Sequence, residues 1–380
     1  MKIILIGNYP GDSQESMIRY LTALRDNLIS NEVQVEIIQP RSFFAPHNKI
    51  TTGGLLKWLG YIDKYLVFPI ILRIKVLQEL KNKNEVEDVF FHICDHSNSM
   101  YLKVLPKNGS GITCHDVLAI EGALGFEEAN CRATRTGKIL QNWILKNLKK
   151  AKILTAVSHN TMEHLAKLCG VENGSNSNWR VIHNSFNSNF WPMDKNESRK
   201  FLNAINFPEG SFILHVGSGL PRKNRSLLLK MVNSLGDRWK GNICFAGDPL
   251  DEDFSKNAKN YGICNRVKSV PRPDHHTLVA LYSSCEAFIF PSFSEGFGWP
   301  LIEAQACGAA VLASSIPTLH EVGGEAAIYA DPYKPGEFAE GFINLIQKKN
   351  KKKLIALGFE NCKRFESQKL IKDFIRLYKK

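Results

Sequence analysis

The chain has 380 residues, 44% of them hydrophobic and 23% charged, with a formal net charge of +12. That length suits two domains with ample cores. The composition is that of an ordinary soluble globular protein, and the charge favours an anionic ligand, an anionic membrane surface or nucleic acid. Nine scattered cysteines without a CxxC pair argue against disulfides and zinc ligands and read as small buried residues in a reducing compartment. The opening MKIILIGNYPG reaches glycine too early for a signal peptide. No run of about 18 uncharged apolar residues occurs, so no membrane-spanning helix is expected.

Lys2–Ile6 is an apolar run of strand length ending in Gly7. A turn-rich loop (NYPGDS) follows, and then Met17, Ile18, Leu21, Leu24 and Leu28 recur at helical spacing. Strand, glycine loop and helix make the opening unit of a doubly wound α/β sheet. Gly7 and Gly11 fit turn geometry alone or a loop on the ligand side, and the absence of GxGxxG argues against a dinucleotide site. Residues 33–38 read as a second strand, and 40–54 are polar and turn-rich. Residues 55–84 are helical and densely apolar, with Pro69 expected to kink or break them. They fit a core helix pair with a solvated basic face, or an interfacial surface offering Trp58, Tyr61, Tyr65, Lys57 and Lys64 to a membrane.

Residues 86–94 and 111–114 read as strands ending in Asp95-His96 and His115-Asp116, which puts polar groups at carboxyl ends, the ligand side of an open α/β sheet. His115 stands out because a long glycine-containing loop, 121–137, follows it; His92 and His96 read as structural. A helix is expected over 137–150 with Ile139, Leu140, Trp143, Ile144 and Leu148 inward. A strand follows over 153–157, a helix cap at Ser158 and a short strand over 179–183. The turn-rich stretch 184–194 is the expected domain boundary.

The second half opens with an apolar strand, 212–216, running into Gly217-Ser218-Gly219-Leu220-Pro221, then Arg222-Lys223-Asn224, then a helix burying Leu227, Leu228, Met231 and Val232. Cations at a helix N-terminus oppose the helix dipole, so Arg222 and Lys223 make more sense facing an external anion. A diphosphate fits, with Arg clamping two oxygens and Lys adding a point charge. Residues 243–246 form a strand. Asp251-Glu252-Asp253 has the look of a metal-binding DxD, yet it follows Pro249 and opens a helix, where acids favour the dipole; it reads as a cap, and no metal site is expected. A strand over 266–270 precedes Pro271-Arg272-Pro273, and 278–283 is helical.

Most of the chemistry gathers in FIFPSFSEGFGWPLIE, residues 288–303. An apolar strand ends in a Pro-Ser turn, and a short loop carries Glu295, Gly296, Phe297 and Gly298. Pro300 then marks the first turn of a helix that Gly308 stops. The helix N-terminus carries about half a positive charge and suits a phosphate. Glu295 and Glu303, spaced E-x7-E, flank it as acceptors for sugar or ribose hydroxyls; a βα unit with two surface glutamates is the plain alternative. Strands over 310–314 and 328–331, a turn at 332–336 and a helical, lysine-rich tail from Glu337 complete the chain.

PSFSEGFGWPLIEAQACGAAVLAS resembles the donor-site signature of the retaining glycosyltransferases of family 4, and HVGSGLPRKNRSLLL is similar to that family's phosphate-contacting Arg-Lys segment. The likeness covers almost the whole chain and is strongest over 212–331. It implies an α/β protein of GT-B fold, two Rossmann-like doubly wound domains facing across a cleft. Residues 1–190 would form the acceptor side and 191–365 the donor-binding domain, with the last helix, about 366–380, packing back on the first. It implies catalytic roles for His115, which reaches the donor sugar, and Glu295, which holds sugar hydroxyls with the backbone of Phe297, Gly298 and Trp299. Donor contacts are implied for Gly217, Arg222, Lys223 and Leu301 at the phosphates, Val270 and Arg272 at the uracil through backbone groups, and Glu303 at the ribose. Gly11 belongs to a loop that closes over the donor phosphates or the acceptor. One departure is Ser218, where the family commonly has an arginine; Arg222 is left to supply that charge.

The resemblance further implies metal-independent transfer, with retention, of a hexose from a UDP-sugar, UDP-glucose first, to a glycan or glycolipid acceptor of bacterial envelope or exopolysaccharide assembly. The leaving phosphate would help deprotonate the acceptor while His115 steadies the oxocarbenium-like state. No cofactor is expected. The place is the cytoplasm, with peripheral contact to an anionic membrane at the inner face of the plasma membrane. Nucleic acid is not an expected partner, because the basic residues are spread out and carry no recognised motif. A non-hydrolysing nucleotide-sugar epimerase and a catalytically silent nucleotide-sugar-binding protein are the alternatives.

Overall fold

The computed structural model describes residues 1–46, 51, 53–81, 88–171 and 178–379. The first residues of the strand expected over 86–94 lie outside these, as do parts of the stretches 40–54 and 55–84. The chain divides into two compact units, one of Met1–Leu124, Ala133–Ser188 and Ser367–Lys380, the other of Gly125–Arg132 and Asn189–Glu366.

The first unit holds a parallel sheet of β1 (Lys2–Ile6), β2 (Gln34–Ile38), β3 (Val89–Ile93), β4 (Ser110–Cys114), β5 (Ile153–Ala156) and β6 (Trp179–Val181), in the order β2-β1-β3-β4-β5-β6. Strands covered on both faces need near-continuous apolar runs, and Ile3 to Ile6 are wholly buried. Leu21, Leu24 and Leu28 of the helix Glu15–Ile29 pack on one face together with Ile371, Phe374 and Ile375 of the helix Ser367–Arg376. The Tyr378 hydroxyl lies 2.6 Å from Nδ1 of His92, whose Nε2 meets Thr113 Oγ1 at 2.7 Å. Both His92 nitrogens are therefore engaged in the core. A Cβ at Gly111 would come within 2.4 Å of that same hydroxyl, so this chain end needs glycine in β4.

Of the kink or break expected at Pro69, no break occurs: a wide π-turn, Asp63–Val67, joins Gly54–Ile62 to Phe68–Lys81, with Pro69 at the second position of the latter. One expectation fails. Ile139 is exposed, whereas Ile144, Leu145 and Leu148 of the helix Arg135–Leu148 face inward. Five residues advance a helix by about 140° beyond a full turn, so Ile139 and Ile144 cannot share a face.

The second unit holds β7 (Phe212–Gly217), β8 (Asn242–Gly247), β9 (Val267–Pro271), β10 (Ala287–Phe290), β11 (Val311–Ser314) and β12 (Ala327–Ala330), all parallel, in the order β12-β11-β10-β7-β8-β9. The direction of strand addition reverses between β7 and β10, which makes that junction the topological switch point where ligands of such sheets bind. Leu228, Met231 and Val232 of the helix Ser226–Leu235 and Phe338 and Phe342 of the helix Pro335–Ile346 fill the core beside Ile213, Ile243 and Ile289. Among the described residues no helix is long and apolar enough to cross a membrane.

Candidate functional site

In the second unit, pairing of β7 with β10 sets Ile213 beside Ala287 and Leu214 beside Phe288. The loops leaving their carboxyl ends therefore meet, and the Phe293 N–H donates to the Arg222 carbonyl at 2.8 Å. The neighbouring strand ends press together: Gly247 has φ +123°, and a Cβ there would lie 2.3 Å from the Gly217 carbonyl oxygen. Arg225, buried, ties the two turns from beneath. Its Nη2 donates to the carbonyls of Gly217 (2.7 Å) and Asp248 (2.9 Å), and its Nη1 to that of Pro249 (3.2 Å). Asp248 in turn accepts from the Gly219 N–H at 2.9 Å. Sequence reasoning passed over Arg225; the signal was a third cation directly after the Arg-Lys-Asn run.

Glu295 sits between the two cations singled out from the sequence. Lys223 Nζ reaches its Oε1 at 2.6 Å and Arg222 Nη1 its Oε2 at 3.0 Å, while Arg222 Nη1 also donates to the Ser294 carbonyl at 3.1 Å. Burial alone would raise the Glu295 pKa, but the positive charges of Lys223 and Arg222 bring it down to about 2. The carboxylate is thus ionised at neutral pH, and the trio carries one net positive charge. Lys223 Nζ also lies 5.3 Å over the Phe290 ring. The sequence set the cations toward an external anion and Glu295 toward a sugar; the structure brings all three onto one another at the switch point.

The helix Trp299–Ala306 starts beside them. Gly298 caps it with φ +99°, a conformation that favours glycine, and a Cβ there would meet Leu319 at 2.9 Å. Within this first turn the Leu301 N–H donates to the Gly298 carbonyl at 3.0 Å, and Pro300 has no N–H. What the tip keeps is the dipole. Phe297 is buried, with ring centroids 5.6 Å from Phe365 and 6.2 Å from the half-buried Trp299. Glu303 is buried and its Oε2 accepts from the Tyr282 hydroxyl at 3.0 Å. Tyr282, on the helix Pro-free His275–Ser284, was not foreseen, since nothing in its local sequence marks it.

At the next strand end, Val270 pairs with Ala246 and its side chain is buried. Arg272 follows with left-handed backbone, φ +46°, its N–H donating to the Gly247 carbonyl at 2.9 Å and its side chain exposed. Asp251 caps the helix Glu252–Asn260 by accepting from the Phe254 N–H at 2.7 Å. His215 in β7 was also missed. Burial pushes its pKa down to about 3, and its Nδ1 donates to the Ile289 carbonyl at 3.2 Å.

In the first unit, Gly11 lies in the turn Pro10–Asp12, and its carbonyl accepts from the Thr51 N–H at 2.9 Å. Asn8 Nδ2 donates to Asp95 Oδ2 at 2.5 Å, and Asn98 Nδ2 to Asn8 Oδ1 at 2.9 Å, so the ends of β1 and β3 are joined. His96 Nδ1 lies 3.3 Å from Asp95 Oδ1. His115 follows β4, with Nε2 2.8 Å from the Cys94 carbonyl and the Tyr20 ring edge-on at 4.5 Å. Burial lowers its pKa. Because a carbonyl only accepts, Nε2 carries the proton and Nδ1 is left a neutral acceptor, buried and without a hydrogen-bond partner among the described residues.

Residues 197–357 match the family described as glycosyl transferases group 1. The chain is 25% identical over 342 residues to the O-antigen chain mannosyltransferase RfbU of Salmonella typhimurium, covering 87% of this chain and 86% of that one. It is 24% identical over 252 residues to the O-antigen chain mannosyltransferase B of Escherichia coli, covering 64% of each. Among solved structures, sucrose-phosphate synthase of Thermosynechococcus elongatus superposes with a TM-score of 0.71 at 20% identity, covering 100% of this chain and 98% of that one. Anabaena HepE, in a complex with UDP and glucose, superposes with 0.69 at 17% identity over 99% and 98%. At these identities the structural likeness is one of fold.

Proposed function

We propose that the chain, whose residues 197–357 match the group 1 glycosyl transferases and whose fold is of the GT-B kind, is a nucleotide-sugar-dependent glycosyltransferase that moves a hexose, with retention and without a metal, to a growing glycan or glycolipid of bacterial surface polysaccharide. The observation that carries this reading is the Arg222–Lys223–Glu295 cluster at the β7/β10 switch point, next to the N-terminus of the helix Trp299–Ala306. Breaking the bond from the anomeric carbon to the diphosphate leaves negative charge on the leaving oxygen. Lys223 and Arg222 stabilise that charge, each charge-assisted hydrogen bond contributing about 1.5–3 kcal/mol, and the helix dipole adds to them. The acceptor oxygen forms the new bond, and its proton goes to the leaving phosphate.

Glu303, held by Tyr282, takes the ribose hydroxyls. Glu295 orients both cations and shares its remaining lone pairs with sugar hydroxyls. His115 offers its neutral Nδ1 to a further sugar hydroxyl. Gly217, Val270, Arg272 and the backbone of Phe297 to Trp299 line the donor. UDP-glucose is the first donor on this reading. A nucleoside-diphosphate mannose is the second, favoured by the two O-antigen mannosyltransferases among the relatives. The reaction runs in the cytoplasm, and a glycolipid acceptor draws the enzyme to the inner face of the plasma membrane.

A thermal-shift panel of nucleotide sugars, followed by hydrolysis and transfer assays, tests this. The donor should raise the melting temperature, NMR should find the product anomer unchanged, and excess EDTA should leave the rate within about twofold. Lys223→Ala should lower affinity for the nucleoside diphosphate about 10- to 150-fold; full activity in that variant would sink the phosphate role. Interconversion of the free sugar nucleotide without acceptor would favour an epimerase, and binding without turnover a silent sensor.

A further inference from the structure

The second unit carries an aromatic pair on the ligand side of its sheet that the donor site does not use. Phe293 follows β10 and Tyr333 follows β12, and their rings are stacked, with centroids 4.8 Å apart and planes 28° from parallel. Phe293 is half-buried. Tyr333 is 69% exposed, the most exposed large apolar side chain among the described residues of that unit. One face of its ring rests on Phe293, and the other is open to solvent.

Exposed rings are ordinary where they hang loosely, but this one is held. Asn224, buried and with left-handed backbone (φ +51°), donates through Nδ2 to the carbonyls of Pro291 (3.1 Å) and Pro332 (2.9 Å). One side chain thus ties together the two loops that carry the rings. The Phe293 N–H donates to the Arg222 carbonyl at 2.8 Å, the Tyr333 N–H to Asp331 Oδ1 at 2.9 Å and the Lys334 N–H to the Asp331 carbonyl at 2.9 Å. The pair is therefore fixed to the same turn, Pro221–Lys223 with its cap Asn224, that supplies the two cations of the cluster. A ring this exposed contributes little to folding. Its anchoring points instead to a ligand, because a surface fixed in advance loses less entropy when something settles on it.

We propose that Phe293 and Tyr333 form a stacking platform for a pyranose ring of the glycan acceptor. The inference rests on the reading of the Arg222–Lys223–Glu295 cluster as the diphosphate site. Strand order, β12-β11-β10-β7-β8-β9, gives the direction. On that reading the donor's base lies at the end of β9 and its phosphates at the β7/β10 junction, so the donor runs along the carboxyl edge of the sheet toward β10. The platform, shared by the loops after β10 and β12, lies past the sugar end, where the acceptor follows. A pyranose suits it: the C–H groups on one face of the sugar are weakly positive and apolar, and the face of an aromatic ring is negative. Lys334, between Asp331 (3.3 Å) and Glu337 (2.9 Å), gives the platform a polar rim for hydroxyls. A nucleobase also stacks on such rings, yet the donor's base is placed at the opposite edge of the sheet.

The test takes the full chain with methyl α-mannopyranoside and methyl β-glucopyranoside as probes, read by saturation-transfer NMR, and with UDP and GDP, read by calorimetry. The wild-type protein should bind at least one pyranoside, with the strongest transfer to the C–H protons of one ring face. Tyr333→Ala should weaken that binding about tenfold, whereas Tyr333→Phe should keep it within about twofold. Affinity for the nucleoside diphosphate and the melting temperature should stay unmoved in both variants, since the side chain points outward. Wild-type protein that receives no transfer from either pyranoside overturns the proposal. So does a Tyr333→Ala variant that binds the sugar as well as wild type, or one that loses nucleoside-diphosphate affinity instead, which would make the ring a base platform. Each of these results leaves the donor reading standing as long as wild type binds UDP or GDP. Wild-type protein that binds neither sinks the donor reading, and the acceptor assignment falls with it.

Discussion

Glu295→Gln isolates the charge at the centre of the cluster. The amide keeps the side-chain shape, but Lys223 and Arg222 lose the anion they contact at 2.6 and 3.0 Å. Burial opposes ionisation, yet the two cations bring the pKa from 4.5 to about 2. That corresponds to about 3 kcal/mol in favour of the ionised form in the folded chain. The folded value lies below the unfolded one, so this stabilisation is fully present above pH 4.5 and is lost as the pH falls from 4.5 through 2. At pH 7 the variant should therefore be less stable by up to about 3 kcal/mol, a fall of about 6–12 °C in the melting temperature of the unit that carries it. At pH 3.5 the gap should shrink by roughly two fifths. Scanning calorimetry of both proteins at the two pH values measures this. Isothermal titration should meanwhile show tighter binding of a nucleoside diphosphate, because the site gains a positive charge, alongside slower transfer. A gap below about 1 kcal/mol that does not change with pH would refute the ion pairing as what holds this loop.

Tyr282→Phe removes the hydroxyl that Glu303 accepts from at 3.0 Å. About 1–2 kcal/mol of donor binding should be lost, read as a five- to thirtyfold rise in KM for the nucleotide sugar with kcat within about twofold; an unchanged KM would separate Glu303 from the donor. Tyr378→Phe strips His92 Nδ1 of its partner at 2.6 Å and should lower the stability of the first unit by about 1–3 kcal/mol in urea, with donor affinity unmoved. His92 and His215 are buried neutral, each pKa pushed down to about 3. Their folded values lie below the unfolded 6.5, so their share of stability is present above pH 6.5 and lost as the pH falls toward 3. Urea titrations at pH 6.5 and 5 should differ by about 2 kcal/mol for each ring, and replacing His92 by Asn should remove its part of that difference.

Much of the second unit was legible because its information is local. Residues 287–290 form an apolar strand, Gly298 and Pro300 start a helix, and Asp251 caps one, since each feature depends on neighbours within a turn or two. The errors arose where distant elements compete. Ile139 is as apolar as Ile144, and only the direction of its helix against the sheet turns it outward. Lys64 and Tyr65 belonged to a plausible surface set until Asp12 and Trp143 drew them inside.

By itself the sequence determined the kind of building block, strands that end in glycine or polar loops followed by amphipathic helices, because hydrophobic periodicity and capping act over a few residues. Tertiary structure decided which of those strand ends became neighbours. Placing β10 beside β7 brings Glu295 onto Lys223 across 72 residues of chain, just as the fold of the first unit brings Tyr378 onto His92 across 286. Such pairings depend on sheet order and buried charge, and neither leaves a mark on the residues nearby.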